Sequence, residues 1–130
     1  NNGFNVSSST DPNLSFDKFT FWFDHDISEF RKNILKDFDI IERSEEMLEI
    51  VPKGHSKATG IQTVADAFKS DLDHCYVFGD SFNDESMLRY VKHSIVLANG
   101  VQAMKDIAYF VTKDIEDDGI AYALEKLELI

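Results

Sequence analysis

Apolar residues recur along the chain in two rhythms, and the rhythm changes near Pro52. Phe19 to Phe23 is a short aromatic run of β-prone residues and predicts a strand. From Asp26 to Phe38 the apolar positions Ile27, Phe30, Ile34, Leu35 and Phe38 return at helical spacing, with Asp26 or Ser28 placed to cap the helix. Phe38 to Ile41 and Met47 to Val51 are β-type runs flanking the charged stretch Glu42 to Glu46, which predicts a hairpin or two neighbouring strands. Beyond Pro52, helices and short strands alternate. A helical pattern from Lys57 through Ile61, Val64, Ala65 and Phe68 leads to a strand at Cys75 to Phe78, a loop at Gly79 to Asn83 and a helix with Met87, Leu88 and Val91. A strand at Ser94 to Leu97, a helix near Val101 to Ile107, a short strand at Tyr109 to Val111 and a terminal helix from Asp118 to Leu127 complete the pattern.

Such alternation predicts a parallel sheet with helices on its faces, and a ligand site at the carboxyl ends of its strands. The fold class expected is therefore α/β, with an α/β unit over residues 53–130 and a small α+β piece over 17–52 before it. Residues 1–16, rich in Asn, Ser, Gly and Pro, read as a flexible opening segment. No internal repeat is visible.

Composition narrows the function classes. At 130 residues, 43% hydrophobic and 28% charged, the chain has the make-up of one ordinary globular domain that can bury a core. Its 24 acidic against 13 basic residues give a net charge of −11 with no local basic patch, so nucleic acid and anionic membrane surfaces are not expected partners. The single cysteine, Cys75, excludes a disulfide scaffold and reads as a small buried hydrophobe. No apolar run nears the roughly 20 residues of a bilayer span. The polar start Asn1-Asn2-Gly3 is unlike a signal peptide, which makes the cytoplasm the expected compartment. The first methionine is Met47, so the chain is expected to be a processed product or a piece of something longer.

The most informative segment is Val77 to Leu88, a strand that ends in glycine, then an acidic loop and a new helix. Asp80, Asn83 and Asp84 place three oxygen-bearing side chains at that strand's carboxyl end, the donor type that magnesium takes together with water and substrate phosphate. Spacing alone fits a second reading equally well, in which Asp80 and Ser81 begin a turn and Asn83 or Asp84 caps the next helix. Lys57 by itself reads as a solvated lysine at a helix start. His25 and His55 read as surface or loop histidines, since neither has a second ligand at metal-binding spacing.

The loop Gly79-Asp80-Ser81-Phe82-Asn83-Asp84, followed by Ser86-Met87-Leu88, resembles the fourth motif of Cof-type (subfamily IIB) phosphatases of the haloacid dehalogenase superfamily. Leu48 to Pro52 with Gly54 to Ile61 is similar to that family's third motif, in which a lysine opens a helix at the domain junction. Ala98-Asn99-Gly100, Ala103 to Lys105 and Asp117 to Ala121 fit its pattern for the end of the core. The likeness is strong from about residue 46 to 130 and weaker from 17 to 45, which looks like the back half of a mobile cap. The resemblance implies half of a Rossmann-like parallel sheet plus part of an α+β cap. It further implies that Asp80 ligates magnesium, that Asn83 and Lys57 contact the substrate phosphate, and that Asp84 holds the loop and Lys57 in place. Lys53, four positions earlier, is a rival for the lysine's role.

Members of this family use an aspartate nucleophile and a second aspartate two positions later, placed after the first core strand. Phe19 to Phe23 followed by Asp24-His25-Asp26 mimics that pattern. The family's continuation with glycine and threonine is absent, and the interval between Asp26 and Lys57 is too short for the intervening βα units. Ser44 is a poor stand-in for the second motif's hydroxyl. Asp24 and Asp26 are accordingly expected to be cap residues, and the nucleophile segment is expected to be missing from this chain. The expected function is that of the C-terminal part of a magnesium-dependent phosphatase of small phosphorylated metabolites, inactive alone, that self-associates or pairs with the missing N-terminal half. The alternatives are a phosphosugar mutase of the same subclass and a non-catalytic metal-binding or interaction module.

Overall fold

The structure is a computed structural model and describes residues 18–130; the opening segment expected over 1–16 lies outside them. In chain order the elements are β1 (Phe19–Trp22), α1 (Ser28–Ile34), β2 (Phe38–Ser44), β3 (Met47–Pro52), α2 (Lys57–Phe68) and β4 (Tyr76–Gly79). After them come α3 (Glu85–Tyr90), β5 (His93–Val96), α4 (Gln102–Lys105), β6 (Phe110–Val111) and α5 (Gly119–Lys126).

The strands form two three-stranded sheets. The first is antiparallel in the order β1-β3-β2. Its register opposes Phe21 to Leu48 and Ile40 to Ile50, so alternate side chains of all three strands share one face. There Leu48 and Ile50 are buried with Ile27, and Phe30 and Ile34 of α1 pack onto them. α1 is shorter than the periodicity predicts. The apolar spacing runs on to Phe38, but Phe38 pairs with Pro52 in β2, and the chain has to leave the helix after Leu35 to reach that register.

The second sheet is parallel in the order β4-β5-β6. Val77 and Val96 meet Leu88 from α3, Val91 just after it and Met104 from α4 in one buried cluster, with Ile61 of α2 against it. The strand runs fall within a residue or two of their predicted places. Cys75 is a correction. It lies just outside β4 because a short 3-10 turn over Leu72–His74 precedes the strand, and it is half-buried at the core's margin rather than enclosed.

The segment between the sheets is tied to the first. The N–H of Lys53 donates to the Asp37 carbonyl (3.2 Å) and that of Gly54 to Asp39 Oδ2 (2.8 Å). Gly54 has φ of 78°, a left-handed conformation that glycine adopts without a Cβ penalty. β2 then packs against a 3-10 turn over Phe82–Asp84, which brings the antiparallel sheet beside the carboxyl ends of the parallel strands. No helix among the described residues is long and apolar enough to cross a membrane.

Candidate active site

Two local structures deliver the site's side chains. Ser56 and Thr59 form a reciprocal cap, Ser56 Oγ accepting from the Thr59 N–H (3.2 Å) and Thr59 Oγ1 from the Ser56 N–H (2.9 Å), which fixes Lys57 as the first residue of α2. At the other strand end, β4 stops at Gly79 and the chain bends through Asp80 and Ser81 into the Phe82–Asp84 turn. That bend is anchored from below, because the Gly79 carbonyl accepts from the Leu97 N–H (3.2 Å) and the Asp80 carbonyl from the Val101 N–H (2.8 Å).

Asp84 ties these parts together. It is 4% exposed, and its Oδ2 accepts from the backbone N–H groups of Asp80 (2.9 Å) and Ser81 (3.3 Å). Lys57 Nζ donates to its Oδ1 across 27 positions of sequence. Burial is the largest single influence on this carboxyl and pushes its pKa up. The hydrogen bond from Lys57 and those from the Asp80 and Ser81 amides outweigh it together and hold the group below the usual carboxylate range. Asp84 is therefore an ionised, fully engaged anchor. Its neighbour Asp80 is exposed, and among the described residues its carboxylate accepts no hydrogen bond, which leaves hard oxygen donors free for a cation. No three His, Cys, Asp or Glu side chains gather as a metal cage among the described residues. Among the described residues Asp80 is the carboxylate whose free oxygens fit magnesium.

Asn83 accepts from Ser81 Oγ through its Oδ1 (2.6 Å), and its amide N–H groups have no partner among the described residues. Ser81, expected from the sequence only to begin a turn, forms a reciprocal cap with Asp84, which the Ser81-x-x-Asp84 spacing marks. Gly79 matters for a steric reason, since a Cβ placed there would lie 2.8 Å from Asp84 Cβ and 3.0 Å from its Oδ2. Gly79→Ala is expected to push Asp84 off its three donors and cost about 2 kcal/mol; a denaturant midpoint equal to that of the parent chain would contradict this.

The other sequence candidates stand elsewhere. Lys53 Nζ donates to the carbonyls of Leu35 (3.1 Å) and Lys36 (3.4 Å) beyond the end of α1, so it is Lys57 and not Lys53 that reaches Asp84. Asp24 lies by the β2–β3 turn, where the Phe23 N–H donates to the Glu46 carbonyl, at the end of β3 opposite the one that leads to Lys57. Its side chain is 98% exposed and bonded to His25. Asp26 accepts from the Ser28 N–H (2.9 Å) at the start of α1, and the Ser44 hydroxyl accepts from the Glu46 N–H (3.3 Å) in the turn. His55 Nδ1 bonds the Lys53 carbonyl (3.2 Å).

The Bacillus subtilis protein YkrA is 40% identical over 94 residues, which are 72% of this chain and 37% of YkrA. The 5-amino-6-(5-phospho-D-ribitylamino)uracil phosphatase YwtE of the same organism is 32% identical over 81 residues, 62% of this chain and 28% of its own length. This chain thus spans well under half the length of these two relatives. Among solved structures, a hypothetical protein from Geobacillus kaustophilus superposes with a TM-score of 0.77 at 29% identity over 91% of this chain and 46% of its own. A sugar phosphatase of haloacid dehalogenase subclass IIB gives 0.73 at 26% identity over 87% of this chain and 44% of its own. The profile of the haloacid dehalogenase-like hydrolases matches residues 4–124, nearly the whole sequence, and the chain belongs to that family.

Proposed function

We propose that this chain is the C-terminal portion of a magnesium-dependent phosphatase of small phosphorylated metabolites of the sugar-phosphate type, and that its nucleophile lies on a segment the chain does not contain. The observation that carries the reading is the union of Lys57 with Asp84 beside Asp80 and Asn83 at the carboxyl end of a parallel strand. A metal bound at Asp80 would supply Lewis-acid stabilisation of charge on the transferring phosphoryl group. Lys57, held in place by Asp84, would offset that group's negative charge, and the Asn83 amide would donate to a phosphate oxygen. Asp84 positions both the lysine and the loop. A relative supports the substrate class, since YwtE is named as a phosphatase of a phosphoribitylamino compound. On this reading residues 17–52 are part of a substrate-choosing cap and 53–130 part of the core.

The same reading assigns the open edge of β4. Among the described residues β4 pairs with β5 alone, and beside it runs a groove of about 650 Å³ that Ile61, Val64, Phe68, Tyr76 and Met87 help line, with no acidic residue in its wall. Phe68 is 81% exposed and Val64 57%. An apolar face next to an unpaired strand edge is where a further strand adds. We assign it to the strand that carries the nucleophile.

Magnesium-dependent hydrolysis of p-nitrophenyl phosphate tests both parts. The chain alone, Asp24→Asn and Asp80→Asn are all expected to be inactive. Adding the part of YkrA outside the matched residues is expected to produce turnover with the chain and with Asp24→Asn, but not with Asp80→Asn. Turnover by the chain alone that Asp24→Asn abolishes would make Asp24 the nucleophile and overturn the assignment of the missing segment.

A further inference from the structure

β4 and β5 are parallel and paired up to Gly79 and Val96, so the chain leaving β5 runs beside the end of β4 that carries Asp80. It turns through Ala98, Asn99 and Gly100 and enters α4 with Val101 as its cap. The Gly100 N–H closes the turn on the Leu97 carbonyl (2.8 Å). Lys105 clasps it from α4, its N–H donating to the Val101 carbonyl (3.2 Å) and its Nζ reaching back to the Ala98 carbonyl (3.0 Å). Two bonds to the segment after β6 hold the other side: the Ala98 N–H donates to the Lys113 carbonyl (3.2 Å) and the Ile115 N–H to Asn99 Oδ1 (3.2 Å).

This turn lies directly against Asp80. The Val101 N–H donates to the Asp80 carbonyl (2.8 Å), and a Cβ at Gly100 would stand 3.0 Å from the same oxygen. The Asp80 N–H is held by Asp84 Oδ2 (2.9 Å), so the residue is pinned on both sides. Its carboxylate accepts no hydrogen bond among the described residues, and its direction therefore follows from the backbone alone. Asp84 fixes that backbone from one side and Val101 from the other. Lys105 itself is an unusual cation. In a chain with 24 acidic residues it is half-buried, yet it forms no ion pair with the described residues and spends its ammonium on a turn carbonyl.

Resting on the phosphatase reading above, we infer that Lys105 is a positioning residue for the metal: by clasping the Ala98–Val101 turn it fixes the Asp80 carbonyl, and through it the aim of the Asp80 carboxylate at a divalent cation. Asn99 braces the same turn from the side of Ile115. A ligand whose supporting hydrogen bonds are already in place binds metal more tightly, because less motion is frozen on binding. The sign of the effect separates this role from a charge effect. By Coulomb's law, removing a cation near a metal site strengthens cation binding, whereas releasing the clasp weakens it.

Titration of the ¹⁵N-labelled chain with manganese, a divalent ion with the oxygen preference of magnesium, tests this. The readout is paramagnetic broadening of the amides of Asp80, Ser81 and Phe82, which reports metal at this place and not elsewhere on the surface. In the parent chain these amides are expected to broaden, and Asp80→Asn should remove most of the effect. No broadening in the parent, or equal broadening in Asp80→Asn, would remove the metal site and with it the reading on which the inference rests. Lys105→Met is expected to bind manganese about fivefold more weakly. Its melting temperature should stay within about 3 °C of the parent, since the bond it loses lies in an exposed turn. Lys105→Arg keeps a donor for the Ala98 carbonyl and should recover most of the affinity, and Asn99→Ala should weaken binding about twofold. With the Asp80 response intact, parent-like or tighter binding by Lys105→Met would overturn the inference. So would a loss that Lys105→Arg does not recover, or a Lys105→Met chain that fails to fold, because Lys105 would then serve the fold and not the metal.

Discussion

Replacing Asp84 with alanine is expected to lower the melting temperature by roughly 8–16 °C and to uncouple Lys57 from the loop. The substitution leaves the Asp80 and Ser81 N–H groups without their acceptor in a site where the side chain is nearly inaccessible. An unsatisfied buried donor costs about 1–3 kcal/mol. Lys57 is 44% exposed and regains water, so its lost partner adds little. A total of about 2–4 kcal/mol follows, and a domain of this size moves by about 4 °C per kcal/mol. A thermal scan in which the variant melts within about 2 °C of the parent would show that the loop holds its shape without this carboxylate.

The same carboxyl predicts a pH dependence. Its folded pKa is depressed, so between the folded and unfolded values the unfolded chain binds more protons and stability rises with pH. The contribution is complete above the unfolded value of about 3.9 and is lost as pH falls through the folded one. Denaturant midpoints of the parent and of Asp84→Asn should therefore converge as pH drops below about 4 and stay apart at neutral pH. A constant gap across that range would mean that the charge of Asp84 does not matter to folding.

Gly119→Ala should be as damaging, at a place remote from the loop. A Cβ at Gly119 would lie 2.2 Å from the Lys113 carbonyl oxygen and 2.8 Å from that of Asp114. Both atoms belong to backbone, which cannot rotate away as a side-chain tip can. Gly119 is also held in place, its N–H on the Asp114 carbonyl (3.0 Å) and its own carbonyl accepting from the buried Thr112 hydroxyl (2.6 Å). Moving the start of α5 to relieve the clash breaks both bonds and lifts the fully buried Ala123 from the core. A loss of about 3 kcal/mol or more is expected, seen as a lower denaturant midpoint or failure to express in folded form. Wild-type stability in this variant would show that the approach of Lys113 to the α5 start is not obligatory.

The order of helices and strands was legible because side-chain period is a local property. Leu48 and Ile50 alternate with Glu49 along β3, and the same alternation puts the apolar pair under α1. The turn after β4 was equally plain, since a glycine followed by closely spaced Asp, Ser and Asn residues interrupts an apolar run however the rest folds. The helix ends were less so. Where α1 stops depends on Phe38 pairing with Pro52, 14 positions later, a register that nothing within the helix states.

The family resemblance and the alternation of elements were readable along the chain, as was the placing of hard oxygen donors after a strand and of a lysine at a helix start. Which residues meet follows from the packing of distant elements. Lys53 and Lys57 are alike in sequence, yet one turns to the carbonyls beyond α1 and the other reaches Asp84. Asp24 follows an apolar strand as a nucleophile would, yet β1 is antiparallel to β3 and sets it beside the β2–β3 turn. The reason is physical: a residue's chemistry and a segment's period belong to the chain locally, whereas the partner of a long side chain depends on how distant elements pack and in which direction neighbouring strands run.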